Sequence, residues 1–481
     1  MNAANVCRFR LGALWFLGCG LAGLALAQAL PAADAVPGER VFKFRETSAF
    51  SSSDYESLRG ISDWVQGQSA DCQEQPCPAV KAYPEFASKK PIYGSIRFDE
   101  RADEKESGTL YYFAIDESQG TGKGYDRLYF DSNRDLDLRN EAVLKPWRDH
   151  PKEAEQQYGG LKEQVVFESL PLNFDCGPAG VRAIQLLPRL GSSSYKDKVS
   201  NHVSFARTTI YVGDIELGNQ QFHAILGKQS AVTGRLDSPN TSLLLLAVGR
   251  SGSVGSRRCT YNINATLKAD GKFFTFAASP AGDELTVRPY QGELGTFEVG
   301  AGGRTLDMMA LHGSLEAAHT AVFVGGEELQ GSPTAARSCQ VPVGDYLLAG
   351  LYVHFGRLMI HISVNYHADG KPWDIDVHPR GYPIAVRMDK PFVLDFSNQP
   401  EVLFASPAKD SRVKLGETLE VKAVLVDPKL NFMIRTLEDP SRKETKSLRR
   451  GSYTGGVSLD PHVVITRANG EKVAEGVMPF G

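Results

Sequence analysis

The stretch Arg127-Leu-Tyr-Phe-Asp-Ser-Asn-Arg-Asp-Leu-Asp-Leu138 joins a short β-forming run to a turn rich in aspartate. Aliphatic and aromatic residues fill its start, and Asp131, Asn133, Asp135 and Asp137 then stand at alternate positions. Aromatic and β-branched side chains favour strands, whereas Asp and Asn favour turns. The stretch therefore predicts a strand that leads directly into a polar loop.

Runs of the same kind recur along the chain and end near Gly, Asp, Asn or Pro, which is typical of strands. The clearest are residues 111–115, 127–130, 209–212, 221–226, 243–248, 273–276, 346–355 and 358–364. Helical spacing of apolar residues is confined to residues 39–50 and 314–318, where helices are expected. The pattern predicts a mainly β protein, with several antiparallel β-sandwich or small-barrel modules in tandem.

The chain has 481 residues, which is too long for a single hydrophobic core. After residue 390, three runs that begin at Val393, Gly416 and Pro461 alternate apolar and polar side chains. They predict an immunoglobulin-like or fibronectin-like terminal module of about 90 residues, the usual size of such sandwiches. Changes in composition predict the remaining boundaries. The expected parts are a signal peptide at 1–29, an N-terminal β domain with the Asp-rich loop at 30–193, a second β module at 194–291, a third at 292–390 and the immunoglobulin-like C-terminal module at 391–481.

The first residues have the composition of an export signal. Arg8 and Arg10 precede the apolar run 11–26, and small residues follow as far as Ala29, as a signal peptidase requires. A lipoprotein anchored through Cys19 is the alternative, because Leu-Gly precedes that cysteine. No later apolar run is long enough to cross a bilayer. We therefore expect an exported protein, periplasmic or extracellular, with no transmembrane span in the mature chain.

The overall charge excludes one class of partner. The chain carries 53 Lys and Arg against 57 Asp and Glu, a formal net charge of -4. Nucleic-acid binding calls for a basic surface, which this composition does not supply. Since 42% of the residues are hydrophobic and 23% are charged, the composition is that of an ordinary globular protein. The expected partners are a protein or a glycan at the cell envelope.

Cysteine usage is compatible with an oxidising compartment. Cys72 and Cys77 lie in the polar, proline-bearing stretch Asp-Cys-Gln-Glu-Gln-Pro-Cys-Pro, where a small disulfide loop is expected. Cys176, Cys259 and Cys339 stand singly, and their pairing stays open. A zinc site would need paired cysteines at two places, and the chain has one such pair.

The Asp-rich loop has the spacing of a calcium loop. Asp131, Asn133 and Asp135 hold the first, third and fifth positions, Asp137 holds the seventh, and Glu141 lies close to the twelfth. Alternate oxygen-bearing side chains wrap a hard cation such as Ca²⁺, which takes six to eight oxygen ligands. These five residues are the predicted metal ligands, and calcium is the one cofactor that the sequence suggests.

Two positions depart from that pattern. The sixth holds Leu136 instead of glycine, which makes a sharp turn harder to form, and the twelfth holds Ala142, which has no carboxylate. The alternative is a plain polar turn held by hydrogen bonds from Asp and Asn side chains.

Other candidate sites carry less chemistry. Histidines and aspartates concentrate after residue 350, at His354, His361, His367, His378, Asp369, Asp374 and Asp376. They lack the spacing of known zinc motifs, so partly exposed strand histidines are the plainer interpretation. The run 249–255 lacks both the register of a nucleophile elbow and the lysine of a phosphate loop. No residue is predicted to be catalytic.

Four segments together resemble a known group of proteins. These are the loop 128–138, Leu430-Asn-Phe-Met-Ile, Leu459-Asp-Pro and Met478-Pro-Phe-Gly481. The chain resembles uncharacterised exported bacterial proteins built of several β modules, with a D-x-N-x-D-x-D-L loop and an immunoglobulin-like C-terminal module. In that group the loop more often reads D-x-N-x-D-G-D-L. The resemblance implies the architecture and implies no activity.

Two functional hypotheses follow from these patterns. The first is an exported, non-catalytic β protein with a binding or structural role at the cell envelope, carrying a calcium-stabilised loop. It is favoured because no catalytic motif is present. The alternative is a secreted, glycan-directed hydrolase that uses Asp and Glu or the His-rich region after residue 350. Convergence of two carboxyl groups, or of three metal-type ligands, would favour that alternative.

Overall fold

A computed structural model describes most of the chain after the predicted signal peptide. The described residues are 38–50, 67–98, 108–151, 154–155, 161–175, 180–195, 198–227, 232–238, 241–248, 254–303, 309–317, 320–324, 337–365, 384–406, 412, 414, 421–430, 432–447 and 452–478. Within these ranges regular structure is almost entirely strand and contains no α-helix, so the predicted mainly β class is confirmed. None of these residues belongs to a helix long and apolar enough to cross a membrane.

The first eighteen strands belong to the part of the chain that ends near residue 290. They are β1 (Arg40–Lys43), β2 (Arg45–Ser48), β3 (Gln68–Ser69), β4 (Asp71–Gln73), β5 (Ile92–Phe98), β6 (Thr109–Asp116), β7 (Arg127–Phe130), β8 (Leu161–Val166), β9 (Leu170–Asp175), β10 (Val181–Tyr195), β11 (Lys198–Arg207), β12 (Thr209–Leu217), β13 (Gln220–Gly227), β14 (Ser242–Val248), β15 (Val254–Asn262), β16 (Leu267–Ala269), β17 (Lys272–Ala278) and β18 (Glu284–Pro289).

Fourteen further strands follow in the described residues. They are β19 (Leu294–Gly300), β20 (Met309–Ala317), β21 (Thr320–Val324), β22 (Ser338–Pro342), β23 (Gly344–Phe355), β24 (Leu358–Asn365), β25 (Ile384–Val386), β26 (Phe392–Asp395), β27 (Glu401–Ser406), β28 (Lys422–Asp427), β29 (Phe432–Ser447), β30 (Ser452–Ser458), β31 (His462–Thr466) and β32 (Lys472–Val477).

The two expected helices are wrong. Residues 39–50 contain the strands β1 and β2, and residues 314–317 lie in β20. Strand β1 pairs with β18, and β2 pairs with β12, both antiparallel. In these pairs the backbone N–H and C=O groups bond to strands that are distant in the sequence. The spacing of apolar residues within a short segment gives no information about such partners. Tertiary pairing therefore decides the conformation of both segments.

The Asp-rich loop belongs to an N-terminal β-sandwich. One sheet has the order β4-β5-β6-β7, and the other has the order β3-β11-β10-β8 with β9 added to β10. The core between them is aromatic: Phe98, Phe113, Phe130 and Phe205 are all almost completely buried. Strand β7 lies at the edge of its sheet and ends at Phe130, so the following loop starts at the rim of this core.

A second pair of sheets explains the continuous apolar run of β14. The sheet β15-β14-β13-β12-β2 packs one face against the sheet β1-β18-β17-β16 through Leu243 and Leu245. Its other face contributes Leu244 and Leu246 to a cluster that includes Leu187 from the N-terminal sandwich. A strand buried on both faces reads as an unbroken apolar run, as residues 243–248 do.

Most of the remaining described strands form a third group, and β31 and β32 pair with each other in a separate two-stranded sheet. Strands β21-β20-β23-β24-β29-β28-β27 follow one another in a sheet that also includes β25 and β30, and β22-β19-β26 form a smaller sheet. Phe297, Leu351, Ile362 and Phe432 are buried in the core that the two share. Among the described strand pairs, β19 with β26 is parallel and the others are antiparallel.

The predicted domain boundaries stay predictions, although strand pairing crosses several of them. The boundary at 193/194 falls within β10, and β1 and β2 pair with strands beyond residue 208. Strand β24 pairs with β29, which joins the predicted third module to the C-terminal one. The immunoglobulin-like character of 391–481 likewise stays a prediction, and the signal peptide and Cys19 lie outside the described residues.

Candidate functional site

Backbone hydrogen bonds fix the Asp-rich loop at the end of β7. The amide of Asp131 donates to the carbonyl oxygen of Tyr112 at 2.9 Å. Further along the loop, Lys81 N–H donates to Leu136 O at 2.8 Å, and Leu138 N–H donates to Ala82 O at 3.0 Å. The loop is therefore held at its start by the sheet and in its middle by the segment that contains Lys81.

Asp131 is the most unusual residue of the loop because its carboxylate is buried. Only 1% of the residue is exposed, and Oδ2 accepts a hydrogen bond from Leu136 N–H at 3.3 Å. Its other oxygen, Oδ1, is buried and has no hydrogen-bond partner among the described residues. Burial raises the pKa of Asp131 above its ordinary value. An oxygen buried without a partner costs about 1–3 kcal/mol, a cost that a water molecule or a cation at this point would offset.

The loop makes its sharp turn without glycine. Leu136 has a φ of 67° and Arg134 a φ of 61°, both in the left-handed region. A side chain in that region costs roughly 1–2 kcal/mol, and Leu136 holds the position where a calcium loop carries glycine. The backbone thus adopts the left-handed turn at the sixth position in spite of the leucine.

Asn133 and Asp135 brace the turn with short-range hydrogen bonds. Asn133 Oδ1 accepts from Asp135 N–H at 2.8 Å, and Asp135 Oδ1 accepts from Asp137 N–H at 2.8 Å. Asp135 Oδ2 also accepts from Asn140 Nδ2 at 2.7 Å. These contacts lower the pKa of Asp135. Each of these oxygens has a second lone pair, so the bonds do not by themselves prevent metal binding.

Asp137 is engaged by a neighbour that the calcium pattern does not anticipate. The Arg139 guanidinium donates to both carboxylate oxygens, at 2.9 and 2.6 Å. This ion pair lowers the pKa of Asp137 to about 2. The seventh position of a calcium loop supplies its backbone carbonyl oxygen, so the pair leaves that contribution intact.

Glu141 returns towards the start of the loop. Its Oε2 accepts a hydrogen bond from Ser132 Oγ at 2.8 Å, and Ser132 is the residue next to Asp131. Its Oε1 is buried and without a hydrogen-bond partner among the described residues. Asp131 and Glu141 therefore each carry one buried carboxylate oxygen without a hydrogen-bond partner among the described residues.

The five predicted ligands are only partly gathered. Across the described ranges no group of three or more His, Cys, Asp or Glu side chains is arranged to hold a metal ion. Asp135 and Asp137 are turned to Asn140 and Arg139, whereas Asp131 and Glu141 have oxygens to spare. Sequence spacing identified the loop, but it could not tell which carboxylates would be taken by neighbours.

The histidine region is described only in part. His361 stacks on Tyr352, with ring centroids 4.3 Å apart and planes 4° from parallel. Burial lowers the pKa values of His354 and His361, which favours their neutral forms. The other histidines and the aspartates of that region, and most of the run 249–255, lie outside the described residues.

The predicted disulfide between Cys72 and Cys77 is not formed in this structure, where both are free thiols. Cys72 pairs with Gly94 in the sheet and packs against the aromatic core of the sandwich. Cys77 packs with Tyr93 and Leu138 on the opposite face of that sheet. Since the sheet separates the two sulfur atoms, nearness in sequence does not bring them together.

Cys72 and Cys77 should resist thiol reagents in the native protein. Burial raises the pKa of Cys72 to about 11 and also raises that of Cys77, so little thiolate exists near pH 8. We expect alkylation of both only after denaturation without reductant, measured by peptide mass mapping. A peptide in which Cys72 and Cys77 are linked would contradict this expectation.

A pocket of about 530 Å³ lies away from the loop, beside the junction of the first two sheet pairs. Buried Phe50 and Leu187 and half-buried Trp147 form its apolar lining, and Glu168 and Gln185 are exposed at its rim. These residues come from separate segments of the chain. Sequence reasoning missed the pocket because no local motif contains it.

Comparisons with known protein families, with curated proteins and with solved structures give no match to this chain, so its local chemistry carries the functional argument.

Proposed function

We propose that this chain is an exported, non-catalytic β protein with a binding or structural role at the cell envelope, stabilised by calcium in the loop 131–141. The observation that carries the proposal is the buried Asp131 carboxylate, whose Oδ1 has no hydrogen-bond partner in the described residues. A cation at this point would remove the cost of that unsatisfied charge.

The other donors suit a hard cation. Glu141 Oε1 is the second unsatisfied carboxylate oxygen, and Asn133 and Asp135 carry oxygens with lone pairs left over. With the Asp137 carbonyl these are five protein donors, and water would complete the six to eight that calcium takes. All are oxygen atoms, which excludes the softer metals that prefer nitrogen or sulfur.

The incomplete ligand set supports a weak site, and weak sites suit an exported protein. Calcium sites of extracellular modules have dissociation constants of about 10⁻⁴–10⁻³ M. A site of that affinity fills only where calcium is abundant, outside the cytoplasm. The predicted export signal and the immunoglobulin-like module at 391–481 point to the same compartment.

Calcium should raise the thermal stability of the protein through Asp131. At a calcium concentration of about 100 times Kd, linkage adds about 2.7 kcal/mol to the free energy of unfolding. In Asp131→Asn and Glu141→Gln, which keep the shape and remove a charge, the difference between calcium and chelator should largely disappear. Thermal melting followed by circular dichroism measures it, and Asp389→Asn, an exposed carboxylate outside the loop, should behave as the wild type.

The pH dependence in chelator gives a second readout. Burial raises the pKa of Asp131 in the folded protein. The protonated carboxyl group therefore contributes fully to the free energy of unfolding below the unfolded pKa, near 4, and this contribution is lost as pH rises through the folded pKa. Asp131→Asn should abolish that loss. If Asp131→Asn lowers the melting temperature equally in calcium and in chelator, the loop is a plain polar turn and the proposal fails.

A further inference from the structure

We propose that the pocket beside Trp147 binds a neutral saccharide unit, with the sugar ring stacked on the indole. This inference rests on the proposed binding role and names its ligand class; it does not depend on calcium. The pocket has a volume of about 530 Å³, within the range of roughly 300–1,000 Å³ that is usual for ligand sites.

Backbone hydrogen bonds shape the pocket in advance. Thr208 N–H donates to Gln185 O at 3.0 Å, and Ala49 N–H donates to Thr208 O at 2.8 Å, where the chain crosses from β11 to β12. Trp147 N–H donates to Val166 O at 2.8 Å. A preformed pocket loses little conformational entropy on binding, so even a small ligand can be held.

The indole of Trp147 offers the flat surface for the ring. The indole and the His150 ring meet edge-on, with centroids 6.3 Å apart and planes inclined by 64°. Phe50 and Leu187 extend the apolar surface beneath it. One side of a pyranose presents C–H groups, and an aromatic face covers such groups better than water does.

Polar side chains at the rim of the pocket can form hydrogen bonds with the hydroxyl groups of a sugar. Ser48, Ser169 and Gln185 present neutral groups that both donate and accept hydrogen bonds. Thr208 Oγ1 donates to Gln185 O at 3.2 Å and is left as an acceptor, and Glu168 adds one carboxylate. Ser48 Oγ accepts from Phe50 N–H, which leaves its own proton free to donate outward. Alternating hydroxyl groups of a sugar can meet such a set.

A cationic ligand is the competing occupant, and the lining argues against it. Aromatic rings with a carboxylate also hold quaternary ammonium groups. An alkylammonium group offers no acceptor and would leave the hydroxyls of Ser48 and Ser169 and the amide of Gln185 facing an apolar surface. Moreover, Glu168 Oε2 already accepts a hydrogen bond from Lys145 N–H at 3.3 Å, so the carboxylate attracts a cationic ligand less strongly.

The test is calorimetric titration of the full chain with N,N′-diacetylchitobiose, cellobiose and maltose, and with choline as the cationic probe. We expect at least one disaccharide to bind and choline not to bind. Trp147→Ala should weaken binding about tenfold, which corresponds to the 1.4 kcal/mol of one aromatic contact. Trp147→Phe, which keeps an aromatic face, should retain most of the affinity.

If Trp147→Ala fails to fold, substitutions of exposed residues at the pocket rim still test the proposal, because they leave the buried core intact. Gln185→Ala should weaken disaccharide binding, whereas Val181→Ala, at an exposed position of the same strand outside the pocket lining, should leave it unchanged. Binding of choline that Glu168→Gln abolishes would overturn the proposal, and so would the absence of disaccharide binding to the folded wild type. Disaccharide binding that survives both Trp147→Ala and Gln185→Ala would place the site elsewhere. If the wild type binds no disaccharide but is still stabilised by calcium, the saccharide proposal alone is refuted.

Discussion

Replacing Phe205 by alanine is expected to lower the free energy of unfolding of the N-terminal sandwich by about 3–5 kcal/mol. The ring is fully buried, and its centroid lies 5.8, 5.7 and 5.4 Å from those of Phe98, Phe113 and Phe130. Its removal leaves a cavity among rigid aromatic side chains that cannot collapse to fill it. Few domains have that much stability to spare.

Amide hydrogen exchange resolves this effect in a protein of several modules, because it reads each sheet separately. Protection of β7 and β11 should fall in Phe205→Ala, while protection of β31 and β32 should not change. Val181→Ala is the control: the side chain belongs to the same sheet but is 70% exposed, and its loss should cost less than about 0.5 kcal/mol. Equal effects of the two substitutions would contradict the buried aromatic core.

Replacing Gly94 by valine is expected to destabilise the same sandwich by about 3 kcal/mol, through overpacking. A Cβ atom at this position would overlap the ring of Phe113 and approach the carbonyl oxygen of Asp71 to 2.5 Å. Neither can retreat, since Phe113 is fully buried and Asp71 belongs to the neighbouring strand β4. The glycine is required because the ring lies directly on the backbone.

Urea unfolding followed by circular dichroism measures this change, with Gly476→Val as the matched control. Gly476 also lies in a strand, but a Cβ atom there would meet nothing within 4 Å. Its substitution should change the midpoint little. A small effect at Gly94 would mean that Phe113 can move, and that the aromatic core is looser than its burial indicates.

Strand identity could be predicted where the side chains themselves decide it. The runs that contain Phe113, Phe130 and Leu244 are aromatic or branched and end in turn residues, and each is a strand in the structure. Residues 39–50 could not be predicted in the same way. Their few apolar positions fit helix and strand equally well, and the partner strands β18 and β12 are distant in sequence.

The candidate sites divide along the same line. The spacing predicts that Asp131 and Glu141 lie in a polar turn. It cannot predict that each has a buried oxygen without a hydrogen-bond partner, or that Arg139 pairs with Asp137. Likewise the separation of Cys72 from Cys77 depends on the face of the sheet that each occupies. The pocket at Trp147 is assembled from several segments, so no window of sequence contains it.

The pairing of β1 with β18 also constrains the order of events during synthesis. Lys43 forms its ion pair with Glu284, which follows 241 residues later in the chain. The outermost strand of that sheet must therefore wait, unpaired, until the ribosome has made more than half of the polypeptide. Closing so long a loop is entropically costly, and such non-local topology slows folding.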